Sequence, residues 1–430
     1  MAEPRVAVIG AGLAGLTAAL ELKQAGLRVT VFERSRLLGG RATSFWVGGH
    51  EVDNGQHVFL ACFAEFIGLV RRLGMDHALH LQDRFEILAL SRSGEGSRLR
   101  AGTLPAPLHL FASFLGYRHL GWAAKLDVAR ALARARETRT TEGTFAEWLA
   151  SLGQREAALR GFWRPFLVPA LNAPLDRMSA ADAGFVLLTA FLNDAGAARI
   201  GYCTVPLARI ADAAARRLDT VHLSTPVTGL DVTSEGQVVI ALGEGDRVVV
   251  DAAVVAVPPP QLARLLDRPG RYGVPPLDGY EARPIVDVHL WHDCGQLGFD
   301  LATLLDSPVQ WVFQKAPGYL CCSLSAADEW VQRSTTEVVQ LCWAEVQGAV
   351  PALRDARLVD ARVTRSPEAT FIVKAGTSKP GPTTLFPNLT VAGSWTDTGW
   401  PDTLESAVRS GLTAARQLLK TFEVARCATH

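Results

Sequence analysis

The hydrophobic and polar positions change period several times along the chain, and those changes divide it. Arg5-Val6-Ala7-Val8-Ile9 is a short apolar run without alternation, the pattern of a strand covered on both faces. Beyond Gly10 the period lengthens. Leu13, Leu16 and Leu20, with small alanines between them, form a helical stripe that should end at Gly26. Arg28-Val29-Thr30-Val31-Phe32 returns to strand character, which completes a β-α-β opening.

From about 85 to 204 the pattern is mainly helical. It includes the stripe Leu108, Leu110, Phe111, Phe114, Leu115, Tyr117, Leu120 and Trp122, then helices near Phe145–Leu152 and Leu159–Phe166. Strand signals resume after 205, at Val221–Leu223, Val227, Val238–Ile240, Val248–Val250 and Ala253–Val257, the last stopped by Pro258-Pro259-Pro260. Residues 282–292 and 309–325 alternate with period two, as antiparallel strands do. Leu389–Ala392 is one more buried strand, and Leu404–Leu419 a closing helix. The expected organisation is a discontinuous α/β dinucleotide domain of residues 1–84, 205–275 and 385–430. A mainly helical insertion, 85–204, and an antiparallel-sheet domain, 276–384, interrupt it.

Composition narrows the classes. Lys+Arg and Asp+Glu both number 43, so the chain lacks the basic surplus of a nucleic-acid binder. Seven cysteines without a C-x-x-C, two of them adjacent at Cys321-Cys322, predict buried, reduced thiols. No apolar run reaches the roughly 18–20 residues of a membrane span, and a first strand at Arg5 leaves no room for a leader. The expectation is a cytoplasmic protein. The aromatic, Arg/Lys-flanked segment 105–135 is either a peripheral contact with the inner face of the cell membrane or a helix pair that buries the same stripe inside.

The candidate chemistry starts at the glycine turn. Gly10 allows a tight bend, Gly12 lets backbone approach a pyrophosphate, and Gly15 lets the helix settle on the strand. Leu13 and Ala14 open that helix and offer free N–H groups to phosphate. Glu33, 18 residues beyond Gly15, ends the second strand where an acid holds an adenosine ribose. Gly39-Gly40-Arg41 follows directly, a second glycine turn ending in a cation.

These segments resemble the flavin amine oxidase and phytoene desaturase superfamily. So do Val227 ahead of Asp251–Pro259, and Val391-Ala392-Gly393 with Thr403–Gly411. Four further strings narrow the resemblance: Asp53-Asn54-Gly55-Gln56-His57, Leu104–Leu108, Phe162–Pro165 with Ala170-Leu171-Asn172, and Trp395–Pro401. With them the chain is similar to the squalene-associated branch, the hydroxysqualene dehydroxylases. The resemblance implies an amine-oxidase-like flavoprotein fold: a Rossmann-like FAD-binding domain with an antiparallel-sheet substrate domain and a helical insertion. It also implies FAD, contacted by Gly10, Gly12, Leu13, Ala14, Gly15, Glu33, Arg34, Gly40, Arg41, Gln56, His57, Val227, Gly393, Trp400, Thr403 and Leu404. One departure is Ser394, where relatives usually carry an acid.

The implied reaction removes the hydroxyl of hydroxysqualene, in squalene supply for hopanoids, with hydride from flavin that an unidentified reductant must recharge. Such chemistry needs a proton for the leaving oxygen and a surround that tolerates an allylic carbocation. Asp53, His57, Asp397 and Asp402 are the candidate catalytic groups. Asp53 could equally be a turn residue, His57 a core histidine and Asp402 a helix cap. Trp395 and Trp400 are either cation-facing or core aromatics. Two alternatives share the fold: a desaturase or amine oxidase running the flavin in the opposite direction, and a flavin-free isoprenoid binder like the Rab GDP-dissociation inhibitors. His289-x-x-His292 sits in a strand, which turns the two rings to opposite faces, so no metal site is expected.

Overall fold

The computed structural model describes residues 3–243, 245–374 and 377–428, with side chains through Glu423. Its centre is a five-stranded parallel sheet in the order Thr220–His222, Arg28–Phe32, Arg5–Ile9, Ala252–Val255, Leu389–Val391. The strands come from three separate stretches of chain. Alternate residues of the first strand face different layers. Val6 and Val8 meet the helices Leu13–Gln24 and Leu404–Ala428, and Ala7 and Ile9 meet a three-stranded antiparallel sheet built from Val227–Val232, Val238–Leu242 and Arg247–Val250. The two helices touch closely enough that a Cβ on Gly411 would lie 2.3 Å from the Ala14 carbonyl oxygen. The closing helix runs nine residues past its expected end, to Ala428, and the prolines after Val257 also open a short helix, Pro259–Leu265.

The second sheet has seven strands, ordered Leu358–Val373, Tyr280–His292, Tyr319–Ser325, Trp311–Ala316, Leu301–Leu304, Glu86–Leu90, Gly96–Arg100. It is mixed, since Leu301–Leu304 and Glu86–Leu90 run parallel. Its last two strands come from within the segment expected to be helical. Ile87, Ala89 and Leu90 are all buried, so strict alternation fails there and the strand is hidden from a periodicity reading. On one face of this sheet Val286, Val288, Leu290, Leu320, Cys322 and Leu324 pack against the helix Thr335–Ala349. The opposite face carries Asp287, His289 and Trp291 beside Tyr319, Cys321 and Ser323.

The helical layer covers that polar face. Its core holds Tyr117, Phe145, Trp148, Trp163, Leu167 and Met178, joined to the sheet through Trp311 and Phe313. Asn172 pins the two together. It ends the helix Arg164–Leu171 in a left-handed conformation (φ 50°). Its Nδ2 donates to the Arg283 carbonyl at 3.1 Å and to Thr370 Oγ1 at 2.9 Å, and its Oδ1 accepts the Ala326 N–H at 2.6 Å.

Candidate cofactor and active site

The first glycine turn is forced by contact. A Cβ on Gly15 would sit 1.9 Å from the Gly10 carbonyl oxygen, and one on Gly10 (φ +102°) 2.4 Å from that of Ala256. Gly12 is different: its φ is ordinary, and a Cβ there would meet only the second glycine turn, at 3.9 Å from Gly40 Cα. What the missing side chain leaves at Gly12 is room beside the N-terminus of Leu13–Gln24, whose cap uses no side chain. The N–H groups of Leu13, Ala14 and Gly15 are therefore free for an anion. Gly39 donates its N–H to the Ala11 carbonyl at 2.9 Å, so both turns form one cradle. Glu33, 8% exposed, closes it: its carboxylate accepts the N–H groups of Ala11 at 2.7 Å and Ser35 at 2.8 Å. Arg34 is exposed beside it. Val227 stands at the start of its strand, next to a stretch held to Glu33 by the Thr225 N–H at 2.8 Å.

Arg41 joins this cradle to the C-terminal segment. Its guanidinium donates to both carboxylate oxygens of Asp402, at 2.8 and 3.1 Å, to Ser394 Oγ at 2.5 Å and to the Ala369 carbonyl at 3.0 Å. It also lies over the Phe371 ring, 5.4 Å from the centroid. Asp402 is thus the Arg41 partner, and it takes the Phe371 N–H at 2.8 Å as well. It does not cap the last helix. Thr403 does, accepting the Ser406 N–H at 3.2 Å, and Leu404 opens the helix, buried. Ser394, standing where an acid was expected, receives Arg41, and the carboxylate comes instead from Asp402. Gly393 is buried, with its N–H on Ser410 Oγ. Asp397 is exposed and its carboxylate accepts the Gly399 N–H, so it stabilises its own turn. Trp395 is 2% exposed with its indole N–H on the Val257 carbonyl, a core residue. Trp400 is half-buried against Phe63 and Phe185, and the Arg409 guanidinium lies over its ring.

The segment 53–57 forms the floor where the two domains meet. Asp53 Oδ1 accepts the Ser44 hydroxyl at 2.7 Å and the Leu207 N–H at 2.9 Å, which ties a hairpin to the helix Ala208–Ala215. Its Oδ2 faces Lys315 Nζ at 3.6 Å. His57 lies deep in the molecule and keeps only partial accessibility. Burial lowers its pKa, against the opposing pull of its Nδ1 contact with the Gly55 carbonyl at 3.0 Å. Gln56 donates its N–H to Asp287 Oδ1 at 3.3 Å and its side-chain amide to the His57 carbonyl at 3.1 Å.

Three groups here escaped the sequence reading, Asp287, Lys315 and Tyr319, and a fourth, His289, was weighed there only as a metal ligand. Asp287 is fully buried under Gly55, and desolvation pushes its carboxyl up to about 6. His289 Nδ1 meets Tyr319 Oη at 2.8 Å, and burial pushes this imidazole down to about 4. His292, on the opposite face, lies near Trp343. The available signal was period two: Asp287, His289 and Trp291 are every second residue of an otherwise apolar strand, and Lys315, one of only six lysines, lies in another.

These features fit FAD and define the class, an FAD-dependent oxidoreductase with a discontinuous dinucleotide domain beneath a second sheet. The sequence pattern of the family described as flavin containing amine oxidoreductase matches residues 13–419, and the chain belongs to that family. It is 31% identical to the hydroxysqualene dehydroxylase of Rhodopseudomonas palustris, over 96% of this chain and 98% of that one. It is 26% identical to a probable zeta-carotene desaturase of Synechococcus elongatus, over 98% and 100%. Among solved structures, putrescine oxidase bound to putrescine superposes with a TM-score of 0.75 at 19% identity, covering 97% of this chain and 99% of that one. Cyclohexylamine oxidase from Brevibacterium oxydans does so at 0.74 and 17%, covering 98% and 100%. Those two likenesses concern the fold.

Proposed function

We propose that the protein removes the allylic hydroxyl of hydroxysqualene and replaces it with hydrogen, giving squalene and water. When bound in its two-electron-reduced form, FAD would supply the hydride, and an external reductant would recharge it. The observation that carries this reading is the Lys315–Asp53 ion pair beside His57, with an apolar cluster next to it. Half-buried Val58, Leu60, Phe191 and Ile372 belong to that cluster, a wall suited to a long hydrocarbon.

The residues divide the work as follows. Lys315 Nζ gives its proton to the departing oxygen, the C–O electron pair leaves with the water, and the positive charge passes from nitrogen to the allylic carbon. The Asp53 carboxylate, already opposite Lys315, then stabilises that charge. His57, kept neutral by burial, adds no competing positive charge. The free N–H groups of Leu13, Ala14 and Gly15 hold the cofactor phosphates, and Arg41, paired with Asp402, ties that cradle to the C-terminal segment.

The test is a single turnover of chemically reduced, FAD-loaded protein with hydroxysqualene under anaerobic conditions. The reading expects squalene with one equivalent of flavin oxidised. In Lys315→Met it expects bound flavin retained and the rate lowered at least about a hundredfold. A second reading, hydride removal from a polyene by oxidised flavin, is favoured by the similarity to the carotene desaturase. Flavin bleaching by a carotene, with hydroxysqualene inert, would establish it in place of the first.

A further inference from the structure

Among the described residues eleven large apolar side chains are exposed, and six of them fall between Leu104 and Leu126. The helix Trp122–Ala133 buries Ala124, Val128 and Ala131, yet it also buries two of its charges and exposes two of its largest apolar side chains. Its outward stripe is Trp122 (69% exposed), Leu126 (65%), Ala129 and Ala133, with Arg130 at the end, while Lys125 and Asp127 are turned inward and buried. The inward charges are held there. Lys125 Nζ donates to the Leu115 carbonyl and lies against the Trp122 ring, and Asp127 accepts Arg155 at 3.0 Å. The preceding turns repeat the arrangement, with Leu108, Phe111 and Leu115 outward at helical spacing. Because Lys125 bonds the end of that turn, the two outward stripes adjoin.

A soluble helix buries Trp and Leu and exposes Lys and Asp, since burying a charge is costly. The reversed pattern is stable where the outer medium is itself apolar. Charge specifies that medium further. From Gly96 to Leu126 the chain contains no Asp or Glu but four cations, Arg98, Arg100, Arg118 and Lys125. Arg98 and Arg100 share the single carboxylate of Glu86, and Arg130 shares that of Asp127 with Arg155, whereas Arg118 is exposed with no ion pair among the described residues. An apolar face edged by Arg118 and Arg130 matches the acyl boundary and anionic headgroups of a lipid monolayer. We propose that residues 104–130 dock the protein on an anionic lipid bilayer, with Leu108, Phe111, Trp122 and Leu126 as the inserted side chains. This deepens the proposed function by giving a water-insoluble substrate a route from lipid.

The test is flotation of the FAD-loaded protein with phosphatidylcholine vesicles, with and without phosphatidylglycerol and with no substrate present. Its failure is therefore separate from failure of the proposed reaction. The wild type should float with the anionic vesicles and be partly released by salt. The triple variant Leu108→Ser/Phe111→Ser/Leu126→Ser, which leaves the Trp122 ring against Lys125, should lose at least about tenfold in partitioning, with flavin absorbance unchanged because those side chains are exposed. Three results overturn the proposal: no flotation of folded, yellow wild type, flotation undiminished in the triple variant, or a vesicle-free dimer that the same substitutions dissociate. Equal binding to neutral vesicles overturns the part assigned to charge.

Discussion

Replacing Asp287 by Asn should make the protein more stable at neutral pH, although it deletes a buried charge that other groups contact. The folded protein holds the Asp287 carboxyl proton up to about pH 6, against an ordinary value of 3.8, chiefly because the group is fully desolvated. The unfolded chain therefore releases this proton first as pH rises. Between those values the native state binds more protons than the unfolded state, so stability falls with increasing pH. The cost is absent below about pH 4, grows up to about pH 6 and is complete above it. The span from 3.8 to about 6 corresponds to about 3 kcal/mol. Asn keeps an oxygen for the Gln56 N–H but rearranges the remaining hydrogen bonds, at a cost of about 1 kcal/mol. A net gain of about 2 kcal/mol for Asp287→Asn at pH 7.5 is expected. The assay is the guanidinium midpoint of both proteins at fixed FAD concentration from pH 4.5 to 8. The reasoning requires the variant's advantage to grow through pH 5–6 and then level off. A difference that stays constant with pH, or a variant less stable at pH 8 than the wild type, would refute it.

Gly15→Ala places a methyl 1.9 Å from the Gly10 carbonyl oxygen, so purified protein should carry almost no flavin absorbance; a yellow protein of normal affinity would show that the turn yields. Asp402→Ala removes both oxygens from Arg41 and the acceptor of the Phe371 N–H, for a loss of about 2–3 kcal/mol seen in thermal unfolding together with weaker FAD binding. Arg41→Lys should rescue little, since one ammonium cannot span Asp402, Ser394 and Ala369. Asn172→Ala strips three bonds between the helical layer and the sheet and should cost about 3 kcal/mol or more. Asn172→Gly should recover only the part due to the left-handed backbone, and a denaturation series on both variants separates the two contributions.

The cofactor half of the protein was legible because it is built from contiguous segments under backbone constraint. Gly10, Gly12 and Gly15, the strand before them, the helix after them and Glu33 all lie within the first 33 residues. Gly10 and Gly15 are demanded by local contact, Gly12 by the room it leaves at the helix N-terminus, and Glu33 by the N–H groups of Ala11 and Ser35. The closing helix was legible for the same reason. The strand at 86–90 was not, because Ile87 and Ala89 enter one apolar cluster and Leu88 and Leu90 another, which removes the alternation that marks a strand; Gly96–Arg100 does alternate, but over only five residues.

Only the tertiary structure decided which distant groups meet. Arg41 and Asp402 are 361 residues apart in sequence, and until they pair, Asp402 reads as a helix cap. Asp53 faces Lys315, and Asp287 lies beneath Gly55, because the seven-stranded sheet sets its register against the segment 53–57. Period two tells which side chains share a face of a strand. What stands opposite that face is fixed by how the domains close on each other, and the sequence carries no local signal for that.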